Sequence, residues 1–283
     1  MLALLLAGAF FLFIFPIFTP CIAQASGEGD FLEKRAKNNP YGWEKISAYT
    51  TYFNQNEGGR CENIQISASL IDGVTIQPYG EFSFNATVGR RTAEAGFQQA
   101  KIIVDGEYVL GVGGGVCQVS TTLYNAALKS GLLVTEFHPH SLRVGYVAPS
   151  RDAMVSSQSD LKLFNPHAHA VYLEAKAKTG AVQITFYGKP TAERIELVSQ
   201  TLAQLPPPAP IIKEGEKEEI IRAEKEGIKS ELYLERYVGE RLIERKKLRT
   251  DEYRPIQGII AKKVDFTTEK VLSNICLFYE KML

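Results

Sequence analysis

Four residues in the middle of the chain have types and spacings that could perform nucleophilic chemistry: Cys117, His138, His140 and Asp152. Cys117 follows three consecutive glycines and opens a run of helix-forming residues that ends near Ser130. The free N–H groups and the positive dipole end of a helix N-terminus favour a thiolate over a thiol. We therefore predict that Cys117 lies in the first turn of a buried helix, where it is either a reactive thiolate or an inert core residue.

A nucleophilic cysteine needs a base that takes its proton and a third group that orients the base. His138 and His140 lie between two predicted strands, and Asp152 follows the second strand after a turn. Cysteine, histidine and acid occur in this chain order in papain-like and transglutaminase-like folds, which is an analogy of arrangement alone. We prefer His140 over His138 as the base because His140 directly enters the second strand. In the alternative interpretation, His-Pro-His is a polar turn whose rings satisfy backbone groups.

Two further roles depend on these neighbours. Gln118 is adjacent to the cysteine, so its side chain could join the Cys117 backbone N–H in holding a developing oxyanion. A zinc site is the third choice, because all four histidines lie within residues 138–169 and the cysteine or the aspartate could add a ligand. However, His167 and His169 follow Asn-Pro in a predicted turn, which indicates a solvated loop. We therefore predict no metal and no other cofactor.

The elements that must position these residues are mostly short strands. Apolar and β-branched runs predict strands at 46–53, 100–104, 108–112, 132–137, 142–147, 161–164, 171–176 and 182–187. Asp105-Gly106 predicts a hairpin turn, and a short helix is predicted at 61–70 with Asn63 as its cap. Because helices do not alternate with strands, we predict an α+β fold in which a mainly antiparallel sheet packs on the helix that begins at Cys117.

A series of short sequence blocks lies along residues 50–188. The blocks are Pro-Tyr-Gly-Glu-Phe-Ser-Phe-Asn at 78–85, Val-Gly at 88–89, Gly-Phe at 96–97, the glycine–cysteine–helix stretch, His-Pro-His-Ser at 138–141, Val-Gly-Tyr-Val at 144–147, Arg-Asp-Ala at 151–153 and Asp-Leu at 160–161. In these blocks the chain resembles the VanW family, which is named for an accessory protein of glycopeptide (vancomycin) resistance gene clusters in Gram-positive bacteria. The family has no firmly assigned biochemical activity, so the resemblance implies an association with peptidoglycan but no mechanism. The chain departs from the family pattern around Ser150 and Met154, where we expect glycine and threonine.

A proline-rich segment at 206–210 predicts a stiff linker and a domain boundary. We predict a VanW-like domain at 30–205 and a small strand-rich module at 211–283 that ends in a helix at 267–283. The module is weakly similar to the G5 domain, an extracellular β module that often accompanies VanW segments and is thought to contact cell-wall sugars. It lacks most of the glycines that give that domain its name.

Residues 2–22 are almost wholly apolar and run into Ala-Gln-Ala at 23–25, which indicates a signal peptide or a membrane anchor over residues 1–25. The formal net charge is +0, from 32 basic and 32 acidic residues, so the chain lacks the basic surface that nucleic acid requires. We therefore predict an extracytoplasmic protein, secreted or attached to the membrane through the apolar segment. Its predicted partner is peptidoglycan or another cell-wall component.

Two functions fit these observations. In the first, Cys117, His140 and Asp152 of an exported protein perform acyl transfer or amide hydrolysis, with peptidoglycan peptides as the substrate that the family resemblance implies. In the second, the protein is a non-catalytic wall-binding or assembly module in which the same residues are structural. A partly exposed Cys117 beside a histidine and a groove favours the first function, whereas a Cys117 enclosed by aliphatic side chains favours the second.

Overall fold

The computed structural model describes residues 43–104 and 106–263. Three features of the sequence analysis lie outside the described residues: the signal or anchor at 1–25, Asp105 in the hairpin turn and the C-terminal helix at 267–283. Within the described ranges, none of the helices is both long enough and apolar enough to cross a bilayer.

Strands dominate the described residues. The strands are β1 (Glu44–Tyr52), β2 (Thr75–Ile76), β3 (Glu81–Ser83), β4 (Gln99–Val104), β5 (Glu107–Val112), β6 (Leu133–Glu136), β7 (Lys162–Phe164), β8 (Val171–Lys178), β9 (Ala181–Gly188), β10 (Glu193–Leu205), β11 (Ile211–Gly215), β12 (Glu219–Arg222), β13 (Gly227–Val238), β14 (Arg241–Tyr253) and β15 (Ile259–Lys263). The helices are α1 (Gly58–Ile71), α2 (Phe84–Val88) and α3 (Val116–Lys129).

Antiparallel pairing predominates in the sheets. Their strand orders are β1-β9-β8-β2, β3-β7-β6, β4-β5, β10-β13-β14 and β11-β15-β12. The exception to antiparallel pairing is β11, which runs parallel to β15. A strand-rich α+β architecture with several antiparallel sheets and few helices, as the sequence predicted, is therefore confirmed at this level.

Helix α3 carries the candidate nucleophile and is buried along most of its length. It begins at Val116, one residue before the predicted start, and Gly115 is its N-cap with a φ of 109°. Small side chains let β1 approach α3 closely. At this contact Ser47 Oγ donates to the carbonyl oxygen of Ala126 at 2.8 Å. Leu123 is 0% exposed, and burying an aliphatic side chain of this size stabilises the fold by about 1.5–3 kcal/mol. The first turn of α3, which carries Cys117, therefore belongs to a helix that is packed along most of its length.

Two sequence predictions about local structure are wrong. Residues 142–147 form an irregular loop instead of a strand. Their apolar alternation has another cause, since this bent loop buries Leu142 and Val144 and exposes Arg143 and Gly145. Asn63 is not a helix cap, because α1 begins at Gly58 and Asn63 lies inside it. Its Nδ2 instead donates to the carbonyl oxygen of Gly114 at 2.8 Å, which ties α1 to the turn before Cys117.

The predicted hairpin is confirmed, since β4 and β5 pair from Gln99–Val112 to Val104–Glu107. The predicted domain boundary stays a prediction. Residues 206–210 lie between β10 and β11 without strand structure. However, β10 pairs along its length with β13, from Glu193–Val238 to Leu205–Gly227. Hydrogen bonds therefore join the chain segments on the two sides of the proline segment.

Candidate active site

Glycines shape the turn that precedes Cys117. Gly113 and Gly115 have φ values of 89° and 109°, in the left-handed region that favours glycine. A Cβ on Gly114 would lie 2.7 Å from the carbonyl oxygen of Lys101 in β4. The glycines therefore let the β4–β5 hairpin pack against the turn and place Cys117 as the second residue of α3.

Cys117 is half-buried and lines a cavity of about 970 Å³. The walls of this cavity are the β4–β5 hairpin, the glycine turn and the loops at 89–92, 144–146 and 154–157. The Cys117 Sγ lies 3.4 Å from the carbonyl oxygen of Val155, to which the thiol can donate. Cys117 is therefore part of the wall of a space large enough for a ligand.

His140 and Asp152 form a buried pair at the same cavity. His140 Nδ1 and Asp152 Oδ2 are 2.7 Å apart, and the same carboxylate oxygen accepts the backbone N–H of His140 at 2.8 Å. Asp152 is 1% exposed and His140 is 7% exposed. Because the carboxylate occupies Nδ1, that nitrogen carries a proton and Nε2 is the ring nitrogen left for the thiol of Cys117.

Burial and attraction act in opposite directions on the pKa values of Cys117 and His140. Burial alone would raise the pKa of Cys117, but the hydrogen bond and charge of His140, with smaller effects of Val155 and Arg91, lower that pKa. Burial alone would lower the pKa of His140, whereas hydrogen bonds to Asp152 and Cys117 raise it to about 9. The two side chains therefore stabilise each other's charged forms, the thiolate and the imidazolium.

Two residues of β14 hold Asp152 on the side away from the cavity. The Tyr253 hydroxyl donates to Asp152 Oδ1. Arg249 Nη1 donates to the backbone carbonyl oxygen of Asp152 at 2.8 Å, and Arg249 Nε donates to Asp251 Oδ2 at 2.6 Å. Burial would raise the pKa of Asp152, but His140, Arg249 and Tyr253 together lower it. Asp152 is thus an ionised carboxylate with a fixed orientation.

Ser150 connects this cluster to β13. Its φ is 62°, in the left-handed region where the family pattern led us to expect glycine. Its backbone N–H donates to the Tyr253 hydroxyl at 2.7 Å, and its Oγ shares a hydrogen bond of 2.7 Å with Ser230 Oγ. These contacts offset a backbone conformation that costs a residue other than glycine about 1–2 kcal/mol.

The other two predicted site residues have different surroundings. His138 Nε2 lies 3.1 Å from Glu136 Oε1, and His138 is not among the residues that line the cavity. Gln118 lines the cavity, but its Nε2 donates to Thr51 Oγ1 at 3.0 Å and to the carbonyl oxygen of Tyr52 at 2.9 Å. Both side-chain N–H groups of Gln118 are occupied, so the oxyanion role predicted for it has no free donor.

The second histidine pair lies away from the cavity. The rings of His167 and His169 stack with their centroids 5.1 Å apart. In the described part of the chain, no group of three or more His, Cys, Asp or Glu side chains is placed to hold a metal ion.

Sequence reasoning missed the β14 residues. Tyr253 and Arg249 lie about a hundred positions after Asp152 and belong to no motif that we identified. One local signal was available, because Arg249, Asp251 and Tyr253 alternate along a strand and share one buried face. Polar residues on the inner face of a strand require partners. Here Arg249 and Tyr253 share Asp152 as their partner, and Asp251 pairs with Arg249.

Comparison with known proteins gives three results. Residues 59–187 match the protein family described as VanW like protein. The uncharacterized protein YoaR of Bacillus subtilis (strain 168) is 38% identical over 164 residues, which cover 58% of this chain and 52% of that protein. This chain therefore spans about half the length of that relative.

The third result concerns a solved structure, the G5 domain of an IgA1 protease. It covers 25% of this chain and 92% of its own, with 16% sequence identity and a TM-score of 0.18. A likeness of that size supports no conclusion about the fold, so the G5-like module at 211–283 stays a prediction.

Proposed function

Residues 59–187 make this chain a member of the VanW family, and from that premise and the site geometry we propose a cysteine-dependent acyl transferase or hydrolase that acts on amide bonds of peptides. The proposed nucleophile is Cys117, the proposed base is His140, and Asp152 orients His140. The single observation that carries the proposal is the buried 2.7 Å contact between His140 Nδ1 and Asp152 Oδ2, beside a cysteine that opens onto a cavity.

The proposed reaction has two steps. In the first, the Cys117 thiolate attacks the amide carbonyl carbon, the C–N bond breaks, and His140 gives its proton to the departing amine. The product on the protein is a thioester. In the second, His140 removes a proton from water or from an acceptor amine, which attacks the thioester and releases the Cys117 thiolate. Water gives hydrolysis and an amine gives acyl transfer.

The oxyanion of the tetrahedral intermediate needs donors other than Gln118. The backbone N–H of Cys117 is one candidate, because the first N–H groups of a helix have no partner inside the helix. The positive end of the α3 dipole acts in the same direction. We therefore assign oxyanion stabilisation to the N-terminus of α3 and a structural role to the Gln118 side chain.

The proposed setting is the cell envelope. The apolar segment at 2–22 and the Ala-Gln-Ala at 23–25 support export or anchoring. The family association makes peptidoglycan peptides the proposed substrate. The finer packing proposal, a mainly antiparallel sheet on the cysteine-bearing helix, is supported by the hydrogen bond between Ser47 in β1 and Ala126 in α3.

A trapping experiment tests the proposed activity. Purified protein is mixed with peptides released from peptidoglycan, the mixture is quenched in acid, and the Cys117 peptide is analysed by mass spectrometry. We expect an added acyl mass that hydroxylamine removes, together with released amine product, and neither with Cys117→Ala. A protein that forms no adduct and no product, while Cys117→Ala binds insoluble peptidoglycan as well as the unmodified chain, would support the non-catalytic wall-binding module instead.

A further inference from the structure

The cavity beside Cys117 has an uneven charge. Four cationic side chains line it, and among the described lining residues none is Asp or Glu. The cationic residues are Arg60, Arg90, Arg91 and Lys101. The chain as a whole has a formal net charge of +0, so this excess of positive charge is local to the cavity.

Two of the arginines pack on the turn that precedes the nucleophile. A Cβ on Gly113 would lie 3.1 Å from Arg91 Cβ, and a Cβ on Gly115 would lie 3.1 Å from Arg60 Cγ. Gly113 and Gly115 lie within four positions of Cys117. Because they have no side chains, they leave room for the two arginine side chains. Arg91 is close enough to the thiol that its charge helps to lower the pKa of Cys117, after the larger effect of His140.

Arg91 is held mainly by neutral groups. Its Nη2 donates to Asn85 Oδ1 at 2.7 Å and its Nη1 to the carbonyl oxygen of Gly89 at 3.3 Å. Asp160 attracts Arg91 electrostatically, but Asp160 Oδ2 accepts Ser83 Oγ–H at 2.5 Å and its Oδ1 accepts the backbone N–H of Asn85 at 2.8 Å. The positive charge of Arg91 is therefore oriented by the protein without being paired by a direct salt bridge.

Arg60 is oriented in a similar way. Its Nη2 donates to Gln118 Oε1 at 2.6 Å, and its Nε lies 3.5 Å from the exposed carboxylate of Glu57. Gln118, which the sequence analysis assigned to the oxyanion, therefore positions a cation at the cavity. Arg90 and Lys101 are exposed at the cavity wall.

The Arg91 guanidinium is oriented, lies at the cavity and has no direct salt-bridge partner. Such a group is suited to a carboxylate ligand, which it can bind through paired hydrogen bonds. Arg60, which is paired with Glu57 at 3.5 Å, and the exposed Arg90 and Lys101 add to the positive charge. We propose that the cavity is a carboxylate subsite, and that the substrate of Cys117 is a peptide with a free carboxylate close to the reacting carbonyl. This inference rests on the proposed function for the identity of the reaction, but the charge preference can be measured without turnover.

Two alkylating reagents of similar size test the charge preference at Cys117. Iodoacetate is an anion and iodoacetamide is neutral, so the ratio of their rates at one thiol reports the local potential. We expect the iodoacetate to iodoacetamide ratio at Cys117 to exceed that of glutathione by about tenfold at low salt, as for other electrostatically focused sites. The excess should shrink as ionic strength rises.

Substitutions assign the preference to the cavity. Arg91→Gln and Lys101→Gln should each lower the ratio, whereas Arg91→Lys should keep most of it. Arg241→Gln, which removes an exposed arginine of β14 that does not line the cavity, is the matched control and should leave the ratio unchanged. A Cys117 that alkylates rapidly with iodoacetamide but has the ratio of glutathione would overturn the carboxylate subsite while leaving the proposed nucleophile intact.

A second measurement covers the case in which Cys117 reacts with neither reagent, a result that would count against the proposed function. Saturation-transfer NMR on Cys117→Ala compares N-acetyl-Ala-Ala with its C-terminal amide. The subsite predicts that the acid binds and that the amide binds less. It also predicts that the double variant Cys117→Ala, Arg91→Gln no longer binds the acid better than the amide. If Cys117→Ala binds the acid and the amide equally, or binds neither, that result overturns the carboxylate subsite independently of the proposed function.

Discussion

The two sides of His140 differ in how completely their charges are paired. On the buried side, Asp152 contacts His140, Tyr253 and Arg249, and Arg249 contacts Asp251. On the cavity side, cationic side chains face a space of about 970 Å³, and none of the described residues that line it is acidic. One side is a closed network of hydrogen bonds, and the other is an open surface with unbalanced charge.

This difference separates two tasks. A buried network of hydrogen bonds around Asp152 holds His140 in one orientation, because moving the carboxylate would leave its buried partners unsatisfied. An open cavity with unpaired charge can bind a ligand, because the ligand supplies the missing partner. Substitutions on the buried side should therefore affect orientation, stability and pKa values together, whereas substitutions on the cavity side should affect reaction or binding with little effect on stability.

The largest expected effect is on the cavity side, at the nucleophile. Cys117→Ser should lower the rate of the proposed reaction by about 10³-fold or more, because a serine hydroxyl is not ionised by this histidine. Its free energy of unfolding should change by only about 1 kcal/mol. Steady-state rates and thermal unfolding of the same preparation check both. A variant that loses several kcal/mol of stability and keeps its function would make Cys117 a core residue.

The next effect is on the buried side, at the carboxylate. Asp152→Asn should lower the rate by about 10²–10⁴-fold, because the amide cannot hold His140 in the same tautomer or stabilise its charge. The pKa of His140, about 9 in the unmodified protein, should fall toward its ordinary value. The alkaline limb of the pH–rate profile should therefore move to lower pH.

Asp251→Asn is the matched control for that substitution. Asp251 contacts Arg249 through a 2.6 Å hydrogen bond but does not contact His140. It should destabilise the protein by about 1–3 kcal/mol and leave the alkaline limb where it is. Equal shifts of the limb in both variants would mean that the buried network acts on His140 only through general stability.

A smaller effect is expected at Tyr253, which the sequence analysis did not identify. Tyr253→Phe removes the donor to Asp152 and the acceptor of the Ser150 N–H, which should cost about 1–3 kcal/mol of stability. Tyr237→Phe is the control, because its hydroxyl contacts only the Glu235 carboxylate at a partly exposed site. Chemical denaturation should show a larger loss of unfolding free energy in Tyr253→Phe than in Tyr237→Phe. Equal losses in the two variants would remove Tyr253 from the network.

The smallest effect is expected at His138. His138→Ala should change stability by no more than about 0.5 kcal/mol and leave the rate unchanged, because His138 contacts Glu136 and does not line the cavity. His140→Ala should abolish the same activity. If His138→Ala is the more damaging of the two, the base has been assigned to the wrong histidine.

The sequence pointed to the candidate residues at the cavity but not to the β14 residues that contact Asp152. The reason is physical. The glycine turn and the helix start are local patterns, each readable within a few residues, and Cys117, His140 and Asp152 follow one another in a single stretch of the chain. The contacts of Tyr253 and Arg249 with Asp152 depend on the pairing of β10, β13 and β14, which no local pattern specifies. The buried side of the site is therefore a product of tertiary structure.

The errors have related causes. Residues 142–147 alternate like a strand because a bent loop can also bury every second side chain, here Leu142 and Val144. They have no ladder partner in the part of the chain that the structure describes. Gln118 looked like an oxyanion donor because it adjoins Cys117. Its side chain is instead directed toward Thr51 and Tyr52 in β1. This strand lies more than sixty positions earlier in the sequence.

The most direct test of the central claim is the pH dependence of Cys117 alkylation by iodoacetamide, with His140→Ala as the comparison. The thiolate is the reacting form, and His140 lowers the pKa of Cys117. In the unmodified protein, the rate should stay high well below the pH at which glutathione loses reactivity. In His140→Ala, the largest effect that opposes burial is removed, so the midpoint should move to higher pH than in the unmodified protein. An unmodified Cys117 that titrates like glutathione or at higher pH, with no shift in His140→Ala, would contradict the nucleophile assignment.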